Sequence, residues 1–191
     1  MKLILASSSA YRRMLLERLM QTFSTDSPAI DETPIAGESP PDMADRLALE
    51  KARAVAARHP GAIVIGSDQV AHMGDEIFGK PGNAEGAIAQ LTRMSGRTVI
   101  FHTALAVINT RTGKEYLDNV PTQVRFRTLS RDEIGRYVDK EKPFDCAGSA
   151  KSEALGITLL DALSGDDPTA LIGLPLIALS RILREQGVEL P

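Results

Sequence analysis

The sequence is poor in the residues that mark several classes of protein. It has one cysteine, Cys146, no tryptophan and only eight aromatic side chains, from five Phe and three Tyr. A single cysteine cannot form an intrachain disulfide, which excludes a disulfide-stapled fold and makes the reducing cytoplasm the expected compartment. So few aromatic rings also exclude a surface on which many successive bases stack.

The sequence also has neither a large excess of one sign of charge nor a long apolar run. Lys and Arg number 22 against 25 Asp and Glu, so the formal net charge is −3. A generally basic surface for long nucleic acid is therefore not expected. No window approaches the roughly 18 consecutive apolar residues of a membrane-spanning helix, so no membrane association is expected either. Hydrophobic residues make up 43% of the 191 residues, which is enough for a sizeable core and excludes disorder.

Strand-like and helix-like patterns alternate along the chain and predict one α/β domain over residues 1–191, with a long hairpin extension. The predicted strands are 2–6, 62–66, 98–109, 115–129 and 156–160. The second of these continues to residue 71, and the chain then returns beside it through residues 77–78. The predicted helices are 10–20, 41–59, a helix to 94 capped by Asn83, a helix to 140 opened by the capping box Ser130–Glu133, and 174–184. In the first of them, Met14, Leu15 and Leu19 are expected to face the core, with Leu16 as a further candidate.

The junction between the first strand and the first helix carries hydroxyl and guanidinium groups. Ser7 and Ser9 precede the helix, and Arg12 and Arg13 lie near its start. Unpaired N–H groups at a helix start, hydroxyls and guanidinium groups all suit phosphate oxygens. A plain Ser9 N-cap followed by two solvated arginines explains the same residues, so the pattern alone leaves both interpretations open.

Asp68 follows the buried strand that begins at residue 62. Ligands of open α/β sheets collect at the carboxyl ends of strands, where an aspartate can bind a divalent metal ion or activate water. Asp31 and Glu32, adjacent in an acidic loop, can complete a magnesium site with Asp68. The alternatives are a turn or capping carboxylate at position 68 and solvated acids at 31 and 32.

Two lysines are candidates for phosphate binding, although a single lysine more often lies on the surface. Lys80 is better placed than Lys51, because Gly79 and Pro81 hold its backbone in a tight loop. Zinc chemistry is not indicated, since no ligand spacing connects the three histidines with one another or with Cys146.

Seven short motifs follow one another in an order that spans essentially the whole chain. They are Leu5-Ala6-Ser7-Ser8-Ser9-Ala10-Tyr11-Arg12-Arg13, Asp31-Glu32-Thr33, Glu50-Lys51-Ala52, Gly66-Ser67-Asp68-Gln69, Gly79-Lys80-Pro81, Ala147-Gly148 and Gly173-Leu174-Pro175. On these motifs the sequence resembles the Maf family of nucleoside triphosphate pyrophosphatases.

The resemblance implies an α/β fold, shared distantly with inosine triphosphate pyrophosphatases, in which helices flank an elongated mixed β-sheet. It implies a divalent metal ion (Mg²⁺, Mn²⁺ or Co²⁺), for which Asp31, Glu32 and Asp68 are the candidate ligands, and it implies Asp68 as the proton acceptor. A homodimer is a further expectation from the family. The candidate phosphate-binding residues are Ser7, Ser9, Arg12, Arg13, Lys51 and Lys80.

Three segments of the chain resemble the branch of the family that acts on 7-methyl-GTP: two of the seven motifs and the residues that follow the Ala147-Gly148 pair. The family often has Ser-Pro-Arg-Arg, Gly-Ala-Asp-Thr and Gly-Ile-Gln, where this chain has Ser-Ala-Tyr-Arg-Arg, Gly-Ser-Asp-Gln and Lys-Ser-Glu. The resemblance implies that Tyr11, Gln69 and Glu153 select the base. Cys146 stands where the family commonly has a lysine, and Lys151 is the candidate to compensate.

The expected reaction is therefore hydrolysis of 7-methyl-GTP to 7-methyl-GMP and pyrophosphate, as a guard against incorporation of modified nucleotides. Two alternatives remain. One is a pyrophosphatase for other canonical or modified nucleotides such as UTP, dTTP or CTP. The other is a nucleotide-binding regulator of septum formation and cell division.

Overall fold

The computed structural model describes residues 2–20 and 22–190, and within these ranges it contains seven β-strands and five α-helices. The strands are β1 (Lys2–Leu5), β2 (Ser24–Thr25), β3 (Ala62–Met73), β4 (Glu76–Phe78), β5 (Thr98–Asn109), β6 (Lys114–Phe126) and β7 (Leu160–Ser164). The helices are α1 (Ala10–Glu17), α2 (Pro40–Ala56), α3 (Ala84–Met94), α4 (Arg131–Glu141) and α5 (Leu176–Glu185). None of these helices is both long enough and apolar enough to cross a membrane.

The strands form a mixed sheet in the order β2-β1-β3-β5-β6-β7, and β4 pairs with β3. β1 runs parallel to β2 and to β3, with Leu5 opposite Ile65. β4 and β7 are antiparallel to β3 and β6. The predicted α/β class, its mixed sheet and the return of the chain through β4 are confirmed.

The chain divides into two compact units. The first holds the residues up to Gln69, Thr103–Val120 and the residues from Asp167 onward, and the second holds Val70–His102 and Pro121–Asp166. Strands β3, β5 and β6 each cross a boundary between these ranges, so each contributes residues to both units. A single domain over residues 1–191 stays a prediction.

In the first unit, β1 and β3 are buried on both faces, which explains their continuous apolar runs. Successive side chains of a strand point to opposite faces. Accordingly Leu3, Leu5, Ile63 and Ile65 share one core cluster with residues of α1 and α5. Ile4, Ala62 and Val64 share another with Val55 of α2. The polar residues Ser67, Asp68 and Gln69, which end the part of β3 in this unit, also point to alternate faces of the sheet.

The second unit contains two of the helix starts that the sequence predicts. Asn83 caps α3 by accepting a hydrogen bond from the Gly86 N–H, and Ser130 caps α4 in a full capping box with Glu133. Helices α3 and α4 contact each other. Both predicted N-termini are confirmed, because capping residues act through a local geometry that a short sequence window contains.

Three local predictions are wrong. Residues 155–159 form a 3₁₀ helix and the strand begins only at Leu160. Gly156 explains the difference: a Cβ there would lie 2.6 Å from the Lys151 N atom, so the chain folds back on itself instead of extending. Helix α1 ends at Glu17 rather than at residue 20, and Met14 is 41% exposed while Leu15 and Leu16 are fully buried.

Candidate active site

A close approach between β3 and α2 sets the position of the first group of polar side chains. A Cβ on Gly66 would lie 2.8 Å from the Ala52 N atom and 2.9 Å from the Ala52 Cβ, so only glycine lets the helix lie this near the strand. Residue 68 is two positions further along β3 and therefore points to the same face as residue 66. The helix brings Lys51 to that face.

Lys51 and Asp68 form a buried ion pair at the end of this unit's part of β3. The Lys51 Nζ donates to Asp68 Oδ1 at 2.6 Å and lies 2.8 Å from Glu32 Oε1. The Lys51 side chain is 7% exposed and that of Asp68 11%, whereas that of Glu32 is 57% exposed. Asp68 is therefore a charged group held in a nearly dry environment, rather than a carboxylate that caps a turn.

The start of α1 places serine hydroxyls and a guanidinium group at the end of β1. Ser9 caps the helix by accepting from the Arg12 N–H at 3.3 Å. The Ser7 Oγ accepts from the Ser9 N–H at 3.1 Å and from the Arg12 Nη1 at 3.5 Å. β1 is parallel to β3 with Leu5 opposite Ile65, so Ser7, which follows β1, lies beside the stretch of β3 that contains Asp68. Asp68 is inside β3 rather than at its end, because the strand continues to Met73.

A loop before α5, residues 167–175, supplies carbonyl groups to the other face of β3. The Gly173 carbonyl accepts from the Arg12 Nε at 2.9 Å and from the Ser67 Oγ at 3.0 Å. The Gln69 Nε2 lies 3.0 Å from both the Ala170 and the Leu171 carbonyl oxygens and 2.9 Å from the Thr103 Oγ1. Ser67 and Gln69 thus point toward this loop, while Asp68 points toward α2.

Burial and neighbouring charges act on Arg12 in opposite directions. Burial lowers the pKa of its guanidinium, and the negative charges of Asp68 and Glu32 raise it. Those charges show that Arg12 belongs to the same electrostatic group as the Lys51 pair. Arg12 and Lys51 contribute two positive charges and Asp68 and Glu32 two negative ones, so the group is close to neutral.

The residues present fit a magnesium ion only in part. Glu32 and Asp68 supply two carboxylates, and Mg²⁺ is usually held by one or two carboxylates together with substrate phosphates. Each of them, however, directs an oxygen to the Lys51 Nζ, so an ammonium group already lies where these two oxygens converge. The Asp31 Oδ1 accepts from the N–H and the hydroxyl of Thr33, and its predicted role as a metal ligand stays a prediction. Within residues 2–20 and 22–190, no group of three or more His, Cys, Asp or Glu side chains is arranged to hold a metal ion.

The other predicted site residues lie on α1 and in the second unit. Arg13 is exposed and pairs with Glu17 one turn along α1. Tyr11 is half-buried beside Arg12. Lys80 and Glu153 belong to the second unit, where Lys80 lies in an exposed loop after β4 and Glu153 in an exposed turn. Their predicted roles toward a substrate stay predictions.

The structure adds four residues that the sequence did not single out for a role. They are Ser67, Thr103, Asp167 and Thr169. Ser67 was visible only as a member of a motif. Asp167 and Thr169 carry a local signal, an Asp-x-Thr sequence ahead of an apolar helix, which is typical of side chains that bind nearby N–H groups.

Known proteins are similar to this chain over essentially its whole length. A family model described as "Maf-like protein" matches residues 2–186. The 7-methyl-GTP pyrophosphatase of Aromatoleum aromaticum is 70% identical over 190 residues, which cover 100% of this chain and 98% of that protein. Proteins with the same name are 57% identical in Xanthomonas oryzae pv. oryzae, over 100% of this chain and 99% of that protein, and 53% identical in Thiobacillus denitrificans, over 98% and 93%. A match of this extent shows that the chain belongs to the Maf family.

Proposed function

We propose that the protein is a nucleoside triphosphate pyrophosphatase that hydrolyses 7-methyl-GTP to 7-methyl-GMP and pyrophosphate. The full-length identity of 70% to a 7-methyl-GTP pyrophosphatase carries the choice of substrate. The buried Lys51–Asp68 pair beside Arg12 supports the reaction class, since a base and phosphate-binding cations are the groups that such a hydrolysis needs.

In the proposed reaction, water attacks the α-phosphorus and the bond from that phosphorus to the α–β bridging oxygen breaks. The new P–O bond gives 7-methyl-GMP, and pyrophosphate leaves with the electron pair. Asp68 orients the attacking water and accepts its proton. Lys51 donates to Oδ1 of Asp68, so Oδ2 is the oxygen that takes this proton.

Negative charge builds on the bridging oxygen and the leaving pyrophosphate, and the cations of the site stabilise it. Two nitrogen atoms of the Arg12 guanidinium are used by Gly173 and Ser7, which fixes its plane and leaves Nη2 for a phosphate oxygen. Lys80 is a further candidate for a phosphate contact. A magnesium ion held by Glu32 and Asp68 would supply additional charge for the triphosphate.

Three residues are proposed to select the base. Methylation at N7 gives guanine a positive charge, and the ring of Tyr11 attracts such a cation by about 0.5–2 kcal/mol. The Glu153 carboxylate can accept hydrogen bonds from the N1–H and the 2-amino group of guanine at once and also offsets the ring charge. The side-chain amide of Gln69 is the third group proposed to contact the base.

Pyrophosphate release measured on a panel of 7-methyl-GTP, GTP, UTP and dTTP, with Mg²⁺ and with a chelator, tests this proposal. We expect the highest kcat/KM with 7-methyl-GTP, loss of activity with the chelator, and loss of hydrolysis in Asp68→Asn. A higher kcat/KM with UTP or dTTP would overturn the substrate assignment and favour a pyrophosphatase for other nucleotides. Hydrolysis that survives Asp68→Asn would overturn the role of Asp68.

Glu153→Gln tests the base selection. A glutamine has one acceptor oxygen and no charge, so we expect activity with 7-methyl-GTP to fall more than activity with pyrimidine triphosphates. Equal losses on both kinds of substrate, measured as kcat/KM, would contradict the proposed role of Glu153.

A further inference from the structure

The loop of residues 167–175, called here the carbonyl loop, orients three side chains of the candidate site through its backbone. Its Gly173 carbonyl holds Arg12 and Ser67, and its Ala170 and Leu171 carbonyls hold Gln69. Thr103, which is fully buried, donates its hydroxyl to the Ala170 carbonyl at 2.9 Å. A shift of this loop therefore moves a phosphate-binding group and a base-selecting group together.

The carbonyl loop decides which end of the Gln69 amide is offered to a substrate. Carbonyl oxygens can only accept hydrogen bonds, so the end of the amide that faces Ala170 and Leu171 must be the NH₂ group. The Oε1 of Gln69 is then the end that remains, and it is an acceptor. Guanine presents N–H donors at N1 and at the 2-amino group, which match an acceptor and not a second donor.

One carboxylate closes the carbonyl loop onto the start of α5. Asp167 is 3% exposed. Its Oδ1 accepts from the Thr169 N–H at 2.9 Å and from the Thr169 hydroxyl at 2.6 Å, and its Oδ2 accepts from the Ile177 N–H at 2.7 Å. The Thr169 Oγ1 in turn accepts from the Leu176 N–H at 2.9 Å. Asp167 and Thr169 thus connect the beginning of the carbonyl loop with the start of α5, where the loop ends.

We propose that Asp167 is a positioning residue for the reaction: by holding the carbonyl loop through Thr169 and the start of α5, it sets the orientation of Arg12 and Gln69. The inference rests on the proposed function, because Gln69 matters only for an enzyme that selects a base. A residue that merely capped α5 would affect the stability of the fold and leave substrate choice unchanged. The two roles therefore predict different kinetics.

The test compares Asp167→Asn with Thr169→Val and Thr169→Ser. Asparagine has the size of aspartate, but one of its two terminal groups is an NH₂, which cannot accept a hydrogen bond. One of the N–H donors that Asp167 binds therefore loses its acceptor. Valine removes the hydroxyl that links Asp167 to Leu176, whereas serine retains it. We expect Asp167→Asn and Thr169→Val to lower kcat about 10- to 100-fold, since a displacement of about 1 Å can cost that much. We also expect both to lower the preference for 7-methyl-GTP over GTP, and Thr169→Ser to restore both quantities.

Ser130→Ala is the matched control. It removes a helix N-cap in α4 and lowers stability, yet it touches no residue of the carbonyl loop. Urea denaturation of all variants ranks their stability. The proposal is supported if Ser130→Ala has the same kcat and substrate preference as the wild type while Thr169→Val has altered values of both. Unchanged kcat and unchanged preference for 7-methyl-GTP in Thr169→Val, despite a lower stability, would overturn the proposal. That result decides the question even if Asp167→Asn fails to fold.

A second readout separates positioning from general damage. In a Gln69→Ala background, the side chain that the loop orients is gone, so Thr169→Val should no longer change the preference for 7-methyl-GTP over GTP. A preference that changes equally in both backgrounds would overturn the proposed route through Gln69. If the wild type prefers another nucleotide, the proposed function fails, while the ratio of variant to wild-type kcat on that nucleotide still tests the positioning by the loop.

Discussion

Lys51 is the residue on which the electrostatics of the candidate site depend most. It lies in the buried stripe of α2, which is otherwise made of Ala44, Leu47, Ala48, Ala52 and Val55. A lysine is rarely buried unless it is paired, and here its ammonium group is the buried partner of Asp68. Its removal leaves a carboxylate with little access to water.

We therefore expect Lys51→Met to abolish pyrophosphate release and to lower the free energy of unfolding by about 3 kcal/mol, because breaking a buried ion pair leaves an uncompensated charge. The double variant Lys51→Met with Asp68→Asn removes both charges and should recover most of that stability while staying inactive. Urea denaturation and a pyrophosphate assay measure the two effects. A double variant no more stable than Lys51→Met would contradict this account.

The same pair shows what a sequence can and cannot reveal about a site. Asp68 and Lys51 were each recognisable as candidates, from a strand end and from a motif, but their pairing depends on how closely β3 approaches α2. Asp167 and Thr103 act on the site through backbone carbonyls of distant residues: the Ala170 carbonyl, for example, lies 101 positions along the chain from Gln69. A backbone carbonyl exists at every residue, so no residue type marks such a contact in advance.

At the scale of elements, the packing of β3 on α2 depends on one missing side chain. Gly66 has no room for a Cβ, since the backbone of Ala48 and the N atom and Cβ of Ala52 occupy the position where it would stand. Gly135, inside α4, is the opposite case, because nothing lies within 4 Å of the Cβ that it lacks. The two glycines therefore serve as a matched pair.

We expect Gly66→Ala to lower the free energy of unfolding by about 1–3 kcal/mol, the usual cost of overpacking, and to reduce kcat because α2 moves Lys51 away from Asp68. Gly135→Ala should raise the free energy of unfolding by about 0.4–1 kcal/mol and leave kcat unchanged, because alanine restricts the unfolded chain and suits a helix. The measurements are urea denaturation and pyrophosphate release. Full activity in Gly66→Ala would show that the close approach is not needed for catalysis.

The elements themselves were predictable where their signals are local. Strand β5 and the helix starts at Asn83 and Ser130 agree with the sequence prediction, since a run of apolar residues and a capping residue are each recognisable within a short window. The start of β7 was not predictable. Its apolar residues are equally compatible with a strand beginning at Gly156, and only the contact of that glycine with the backbone of Lys151 excludes it.

At the scale of the whole molecule, three of the four connections between the two compact units lie inside strands rather than in linkers. β3, β5 and β6 each run through a boundary between the residue ranges of the units, so at these three places the backbone passes from one unit to the other inside a strand. A linker of a few residues would allow independent unfolding, whereas shared strands favour one cooperative transition. The scarcity of tryptophan and cysteine makes this testable.

We expect both units to unfold at the same urea concentration. Phe23 packs against the core of the first unit, so Phe23→Trp places a lone tryptophan there. Cys146 reports on the second unit, where burial raises the pKa of its thiol to about 12 and keeps it in the unreactive neutral form at pH 8. Tryptophan fluorescence and the extent of thiol labelling, followed across urea at pH 8, should give coincident midpoints in this variant. Labelling of Cys146 at a urea concentration that leaves the fluorescence native would show that the second unit opens by itself, and that shared strands do not couple the two.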